Sequence, residues 1–594
     1  MTGQSTWKNL LRGSAELPVI LIAATLQGWS LYFLHICIDD GRWPATNLAA
    51  LSALYAAAIF APLTVQLLVQ HARQRLAWMA IAVVAVFSFF AAWHFGGSVM
   101  LEGDPRHPRV DEWASLAFVL GVLWLLAMPF LQARLLDGRW RPRYERLFAT
   151  AWNNKFLLAE AVAFTALFWL LLVLWAQLFR MLGMQFFKEL FEEPIFFYPV
   201  TSIVFGVALH LIGSLERLTS VLLEQVLSVL KWLALVAGLI LTLFTVALIT
   251  KLPTMIGSGE RAIAASWLLW LVAVTVLLVN AAYRDGSVST PYPRRIAATL
   301  RFVIPLTIVI ALTALYALWL RIDEYGFTVS RFWACVVAGA ALLYSVGYGL
   351  ACRDGQRWLS GIASVNIVTA LYLIAVIALA LTPALSPHRI AANSQFKLAL
   401  AAKVPGENVY VRSTPLEYLR FNAGAYGLQR LREISRIENH PQAQTLRKRA
   451  TALLERKNRW DAQFANTDVH LAGMVREPAG RAIDAELLAT LETDLANPAN
   501  GWRFGDTQTK VAGFFVDMND DGIAEFVLVR GQLAWIYGQV EGRWTKVNVL
   551  MAYRLDGANE AADRVEAGDF KAQAPAWRDL VVGGRRYRST TDQD

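Results

Sequence analysis

The chain has 594 residues, 56% hydrophobic and only 17% charged, with a formal net charge of +9. A water-soluble globular chain carries about 25% charged residues, so this composition, with a mean hydropathy of +0.41, excludes a wholly soluble protein. Cys37, Cys335 and Cys352 lie in or beside apolar runs and none lies after residue 383, which leaves no disulfide framework for the C-terminal part.

A run of about 20 apolar residues crosses the hydrocarbon core of a bilayer. Such runs occur at Pro18–Ile36, Leu48–Val69, Leu76–Phe95, Trp113–Ala133, Leu157–Met181 and Phe196–Ile212. They continue at Val229–Thr250, Ile263–Ala282, Phe302–Leu320, Phe332–Ala351 and Ile362–Leu381. Lipid offers no hydrogen-bond partners, so the backbone must satisfy itself and each run is read as a helix. Lys8 and Arg12 precede the first run, but it is long and lacks a small-residue cleavage site, so it is read as a retained span. The expected architecture is an α-helical multi-pass membrane domain of about eleven helices followed by a soluble α+β domain. Its parts are a polytopic domain over 1–383, a helical basic segment over 384–460 and a small α+β domain over 461–594.

Orientation follows from the bias of Lys and Arg toward cytoplasmic loops. With the N-terminus in the cytoplasm, 17 basic residues fall in cytoplasmic connections and 9 in the opposite ones. The loops around 134–155 and 284–301 carry most of the difference. Eleven spans then place the C-terminal domain outside, in the periplasm of a bacterium with this protein in its inner membrane. Residues 214–230 place Leu215, Leu218, Leu222, Val226 and Val229 at helical spacing. They suit an interfacial helix or an extension of the next span, and residues 184–195 read the same two ways.

Residues 384–459 hold 14 Lys and Arg against 5 Asp and Glu, whereas residues 460–594 hold 14 against 21. The basic half reads as helices at Ile390–Lys403, Leu416–Phe421, Leu428–Glu438 and Gln442–Trp460. Arg447, Lys448, Arg449, Arg456, Lys457 and Arg459 lie along the last of them. They form a solvated helix face or a contact with anionic lipid headgroups; nucleic acid is not expected, because stacking aromatics are not interleaved. The acidic half begins with a helix near Asp484–Leu495. Short strands follow at Val511–Val516, Glu525–Val529, Leu533–Gln539, Trp544–Leu550 and Leu580–Gly583, joined by Gly-containing turns.

Between the first two strands lies Asp517-Met518-Asn519-Asp520-Asp521-Gly522-Ile523-Ala524-Glu525. Calcium takes six to eight hard oxygen ligands around a tight turn. Asp517, Asn519, Asp521 and Glu525 offer side-chain oxygens, Ile523 offers a carbonyl, and Gly522 permits the turn. An EF-hand requires Glu at loop position twelve, which is Leu528 here, so the loop is not an EF-hand. It resembles the strand-loop-strand calcium loops of FG-GAP and VCBS repeats, in a single copy. The other reading is an Asx-rich hairpin turn without metal.

Within the spans, Glu160 and Lys231 lie near ends from which a long side chain reaches water. Gln27, Gln66, Gln177, Asn280 and Asn366 are candidates for helix-to-helix hydrogen bonds. His35, Asp39, Asp40, His94, Glu102, Asp104 and His107 fall at one membrane face, where His35, Asp39, Asp40 and His94 are the speculative catalytic or metal-binding set. Their spacing matches no His-Glu-x-x-His signature, and the chain has no P-loop, nucleophile elbow or Rossmann glycine pattern.

The sequence carries Leu-Gln-Gly-Trp at 26–29, Leu-Tyr-Phe-Leu-His at 31–35, Trp-Pro-Ala-Thr at 43–46, Leu-Tyr at 54–55 and Pro-Leu-Thr at 62–64. Further on are Tyr-Pro-Arg-Arg at 292–295, Tyr-Ala-Leu-Trp-Leu-Arg-Ile-Asp at 316–323, Tyr325-Gly326, Leu419-Arg420-Phe421 and Tyr426-Gly427. On these segments the chain resembles the bacterial domain-of-unknown-function family 4153, from about residue 15 to the end of the Asp517–Glu525 loop. The resemblance implies a multi-pass inner-membrane protein and supplies no catalytic residues. The sequence thus favours a non-enzymatic scaffold or sensor whose periplasmic domain binds a ligand or an envelope protein partner. The alternatives are a permease or flippase for a small or lipid-linked solute and an enzyme that modifies envelope glycan or lipid. Calcium is the one cofactor expected, in a structural role.

Overall fold

A computed structural model describes residues 3–99, 110–139, 141–214, 216–258, 264–286, 290–353, 358–401, 414–456, 475–477, 483–496, 512–530, 533–551, 560–572, 580–582 and 585–587. The apolar runs form α1 (Gly3–Asp39), α2 (Leu48–Leu68), α3 (Arg75–Val99), α4 (Val110–Asp137), α5 (Tyr144–Met181), α6 (Phe186–Glu192) and α7 (Pro194–Ser214). They continue as α8 (Glu216–Ser258), α9 (Ala265–Tyr283), α10 (Arg294–Val303), α11 (Thr307–Tyr325), α12 (Val329–Ala351) and α13 (Ile362–Ala380). Among the described residues, 11 helical stretches are long and apolar enough to cross a membrane. The short α6 is not one of them, and α10 and α11 form a single stretch through a 3₁₀ turn at Ile304–Leu306. Residues 184–195 thus contain a separate short helix. By contrast, residues 216–230 continue directly into the span of α8, because neither Gly nor Pro interrupts them.

Small residues set the closest helix crossings. A Cβ on Gly28 would lie 2.5 Å from the Pro199 Cα, and one on Gly206 would lie 2.9 Å from the Ala24 Cβ, so α1 and α7 meet nearly backbone to backbone. Spans alternate in direction. The end at which α1 finishes, here the distal face, therefore also holds the end of α3, the start of α7 and the α11–α12 hairpin. The opposite end is the proximal face.

Four further helices follow α13: α14 (Pro387–Leu400), α15 (Pro415–Phe421), α16 (Gly424–Ile434) and α17 (Ala443–Glu455). A capping box starts α15, with Thr414 and Glu417 satisfying each other's backbone N–H groups. The structure packs α14 on α12 and α16 on α3, so these helices form a cap on the distal face. One compact unit spans Met1–Leu453, including most of the basic segment, and a second spans Leu454–Asp594.

The second unit contains β1 (Val475–Glu477), α18 (Ala485–Ala496), β2 (Ala512–Val516), β3 (Glu525–Arg530), β4 (Leu533–Val540), β5 (Arg543–Met551), α19 (Glu560–Glu566), β6 (Leu580–Val582) and β7 (Arg585–Tyr587). An antiparallel meander β2-β3-β4-β5 carries β1 parallel at its β2 edge. Alternation along β3 explains its two cores. Phe526 and Leu528 face Leu487 and Leu491 of α18, whereas Val527 packs with Phe514 and with Val565 of α19.

Candidate functional site

The distal face is built around the end of α1. His35 and Asp39, one helical turn apart, approach to 3.3 Å between Nε2 and Oδ2. The His35 ring lies 5.3 Å from that of Tyr198, at the start of α7. Asp40 pairs instead with Arg42. His94, near the end of α3, interacts electrostatically with His388 at the start of α14, and His388 packs edge-on against Phe95 at 5.8 Å. The predicted set is therefore divided: His35 meets Asp39, Asp40 pairs with Arg42, and His94 disfavours the protonation of His388. Among the described residues no three His, Cys, Asp or Glu side chains group to hold a metal ion. Glu102, Asp104 and His107 lie outside the described residues, as do Lys457 and Arg459 of the basic helix.

His388 was not singled out from the sequence. Its position under the cap pushes its pKa down to about 4, first through burial and then through His94. A histidine near a proline in a polar stretch gives no sign of this, because the burial comes from α3, which lies far away in sequence.

The cap holds the α11–α12 hairpin by its backbone. Gln395 donates from Nε2 to the carbonyls of Tyr325 and Phe327, both at 2.9 Å. Phe327 N–H donates to Ser394 Oγ and Val329 N–H to Tyr418 Oη, each at 2.8 Å. Arg331 reaches back to the carbonyls of Tyr325 and Gly326. Glycines allow the close approach. A Cβ on Gly424, whose φ is +58°, would meet the Ser98 carbonyl oxygen at 2.4 Å, and one on Gly427 would meet that of Leu419 at 2.0 Å.

The polar residues of the spans hydrogen-bond across helices. Gln66 donates to Gln27 at 3.3 Å, linking α2 to α1. Asn154 donates to Gln132 at 2.7 Å, linking α5 to α4. Nearer the proximal face, Asn366 Nδ2 donates to Asn280 Oδ1 and to Tyr144 Oη, both at 2.7 Å. The Tyr348 hydroxyl lies 2.9 Å from Asn280 Oδ1 and 2.7 Å from Asn366 Oδ1. This node ties α5, α9, α12 and α13 together. Gln132, Tyr144, Asn154 and Tyr348 were missed from sequence. An isolated polar group in an apolar run was the available signal for Gln132, whereas Asn154 stands beside Asn153 and Lys155 ahead of the apolar run and an interfacial Tyr looks like any other. Gln177 enters none of these bonds.

In the second unit, the β2–β3 loop folds on its own side chains. Asp517 accepts from Asn519 N–H at 3.3 Å and from Gly522 N–H at 2.9 Å. Asn519 Oδ1 accepts from Asp521 N–H at 3.1 Å, Asp521 from Ile523 N–H at 2.7 Å, and Glu525 from Met518 N–H at 2.8 Å. Desolvation opposes ionisation of Asp517, but donors from Gly522, Asn519, Asp520 and Asp521 outweigh it and hold its carboxyl below the usual range. Asp520 and Gly522 both adopt positive φ, at 60° and 81°. The donor set is hard oxygen, which suits calcium. The carboxylates are turned onto the loop's own N–H groups, and each retains lone pairs that a cation can use.

Comparison of the chain with protein-family profiles, with curated proteins and with solved structures gives no match.

Proposed function

We propose that the protein is a non-enzymatic scaffold or sensor of the bacterial inner membrane that presents a fixed platform at its distal face. The observation that carries this reading is the hydrogen-bonding of the cap onto the α11–α12 hairpin. Side chains of α14 and α15 bind consecutive backbone groups of a loop between two spans. Such a joint suits a surface that must keep its shape. The pairing of Asn280 with Asn366 and of Gln132 with Asn154 supports the same reading, since these groups serve helix association. On the charge bias, the N-terminus is cytoplasmic and the platform and C-terminal unit are periplasmic, where an envelope protein or small ligand is the partner. The resemblance to family 4153 accords with this location.

In a strain that requires the protein, alanine at His35, Asp39, Asn280 and Asn366 separates the alternatives. The scaffold reading expects each variant, if it is produced at normal levels, to sustain growth. Loss at His35 or Asp39 points to an envelope-modifying enzyme, and loss at Asn280 or Asn366 to a permease or flippase. A periplasm-only reporter fused after Asp594 tests the orientation, and activity of a cytoplasm-only reporter there reverses it.

For the β2–β3 loop we propose calcium, held by Asp517, Asn519, Asp521, the Ile523 carbonyl and Glu525, with a structural role. The loop offers hard oxygens at five positions. Calcium titration of the full chain is expected to raise its melting temperature, and magnesium is not, because magnesium gives up its water reluctantly.

A further inference from the structure

At the proximal face, cationic and aromatic side chains gather where α8 meets α10. Tyr292 donates its hydroxyl to the Lys231 carbonyl at 2.6 Å, which fixes the α9–α10 connection against α8. The Lys231 ammonium lies 5.0 Å from the centre of the Trp232 ring and 6.0 Å from that of Tyr292. Arg294 and Arg295 open α10 on its exposed side, whereas Ala297 and Leu300 are buried. The helix is held close, since a Cβ on Gly238 of α8 would stand 3.5 Å from Leu300. Trp358 packs edge-on against Tyr292 at 5.9 Å, is only 5% exposed, and its indole N–H meets no acceptor among the described residues. Among the described residues, Lys231, Arg294 and Arg295 form no salt bridge with any carboxylate.

Two exposed arginines and the half-buried Lys231, none of them paired with a carboxylate among the described residues, stand beside the exposed Trp232 and the buried rings of Tyr292 and Trp358 at the ends of apolar spans, and this makes the site rich in donors. We propose that this shelf, formed by Lys231, Trp232, Tyr292, Arg294 and Arg295, binds the headgroup of an anionic phospholipid. Aromatic rings occupy the headgroup level of a bilayer, and clustered Lys and Arg beside spans attract anionic lipid. The amphipathic α10 opens the same stretch that continues through Ile304–Leu306 into α11, with Ala297 and Leu300 buried. The two arginines address phosphate oxygens in bidentate fashion, and Lys231 supplies a point charge between two rings. The occupant is a lipid rather than free phosphate because the shelf adjoins exposed apolar side chains that acyl chains cover: Phe302 is 80% exposed and Leu233 46%.

The test uses the full chain in mild detergent, titrated with phosphatidylglycerol or phosphatidylcholine and read by native mass spectrometry. The wild type is expected to retain phosphatidylglycerol in preference. Combined Lys231→Gln, Arg294→Gln and Arg295→Gln should reduce that preference by about tenfold or more. Combined Arg447→Gln, Lys448→Gln and Arg449→Gln, on α17, should leave it unchanged. If the triple variant on the shelf does not fold, Arg294→Gln with Arg295→Gln, both exposed, is read in its place. Equal retention of the two lipids by the wild type, an undiminished preference in the shelf variant, or a loss that follows the α17 variant overturns the proposal. Soluble glycerophosphoglycerol at equal concentration is expected to compete weakly. Full displacement by it, or by inorganic phosphate, would assign the shelf to a free anion instead.

Discussion

The α11–α12 hairpin and the β2–β3 loop solve one problem by opposite means. Each is a tight connection whose backbone N–H and C=O groups need partners, and each obtains them from side chains. In the β2–β3 loop the partners lie within seven residues, as in the bond from Met518 N–H to Glu525. In the hairpin Arg331 supplies two partners locally, and the others lie 67 to 89 residues away, on α14 and α15. A locally satisfied loop keeps its shape whatever surrounds it. A remotely satisfied one holds two parts of the chain together, and its loss frees both.

This contrast is sharpest at the glycines of the cap. Gly427→Ala places a Cβ against a backbone oxygen, and Gly424→Ala adds positive-φ strain to the same kind of clash. Each is expected to cost about 3 kcal/mol or more, seen as a lower melting temperature and as faster proteolysis within 384–453. Unchanged proteolysis there would mean that these close backbone contacts do not hold the cap.

Acid should weaken the cap next. His388 is held neutral, with a pKa of about 4 against an ordinary 6.5. A depressed folded pKa gives stability that is complete above the unfolded value and is lost as pH falls toward the folded one. Between about pH 6.5 and 4 the contribution lost is about 3 kcal/mol. Melting curves across that window should show the loss, and His388→Phe, which keeps the ring against Phe95, should flatten it.

Gln395→Ala removes two bonds; Tyr325 keeps the donor from Arg331, whereas the Phe327 carbonyl loses the side-chain donor that holds it. The expected cost is about 2 kcal/mol by denaturant or thermal unfolding. In the node near the proximal face, Asn366→Ala should cost about 1 kcal/mol, the usual size for hydrogen bonds between membrane helices. The smallest effect belongs to the β2–β3 loop. Asp517→Ala should leave the melting temperature without calcium nearly unchanged and abolish any rise that calcium produces. If the same variant collapses the sheet in calcium-free buffer, the loop's hydrogen bonds hold the fold and its local independence is wrong.

The membrane spans were legible in the sequence because hydropathy is additive along a chain, and the 11 stretches follow from length and composition alone. The continuation of 216–230 into α8 was open, since amphipathic spacing is the same for a helix on a membrane and for one that merely begins there. The polar residues Gln27, Gln66, Asn280 and Asn366 were visible as interruptions of apolar runs, but their pairing was not. Tyr144 lies 222 residues from Asn366, to which it is bonded, and no spacing rule spans that distance. The speculative set of His35, Asp39, Asp40 and His94 failed as a guide to pairing for the same reason. Helix ends fixed which face these residues occupy, while His35 kept to its own helix and His94 found His388.

The sequence by itself, which left β1, β7, α10 and α19 unread, determined the long apolar spans of the membrane unit, the strands β2 to β6 of the C-terminal unit, and the presence of a turn at Asp517–Glu525. Each of these depends on periodicity, apolar length or partners a few residues away. Only the tertiary structure decided that the basic segment is a cap on the spans, that His388 is buried beneath it, and that Lys231, Tyr292 and Arg294 share a surface. Those outcomes depend on contacts between segments far apart in the chain, where burial and charge are set by what packs against a residue and not by its neighbours in sequence.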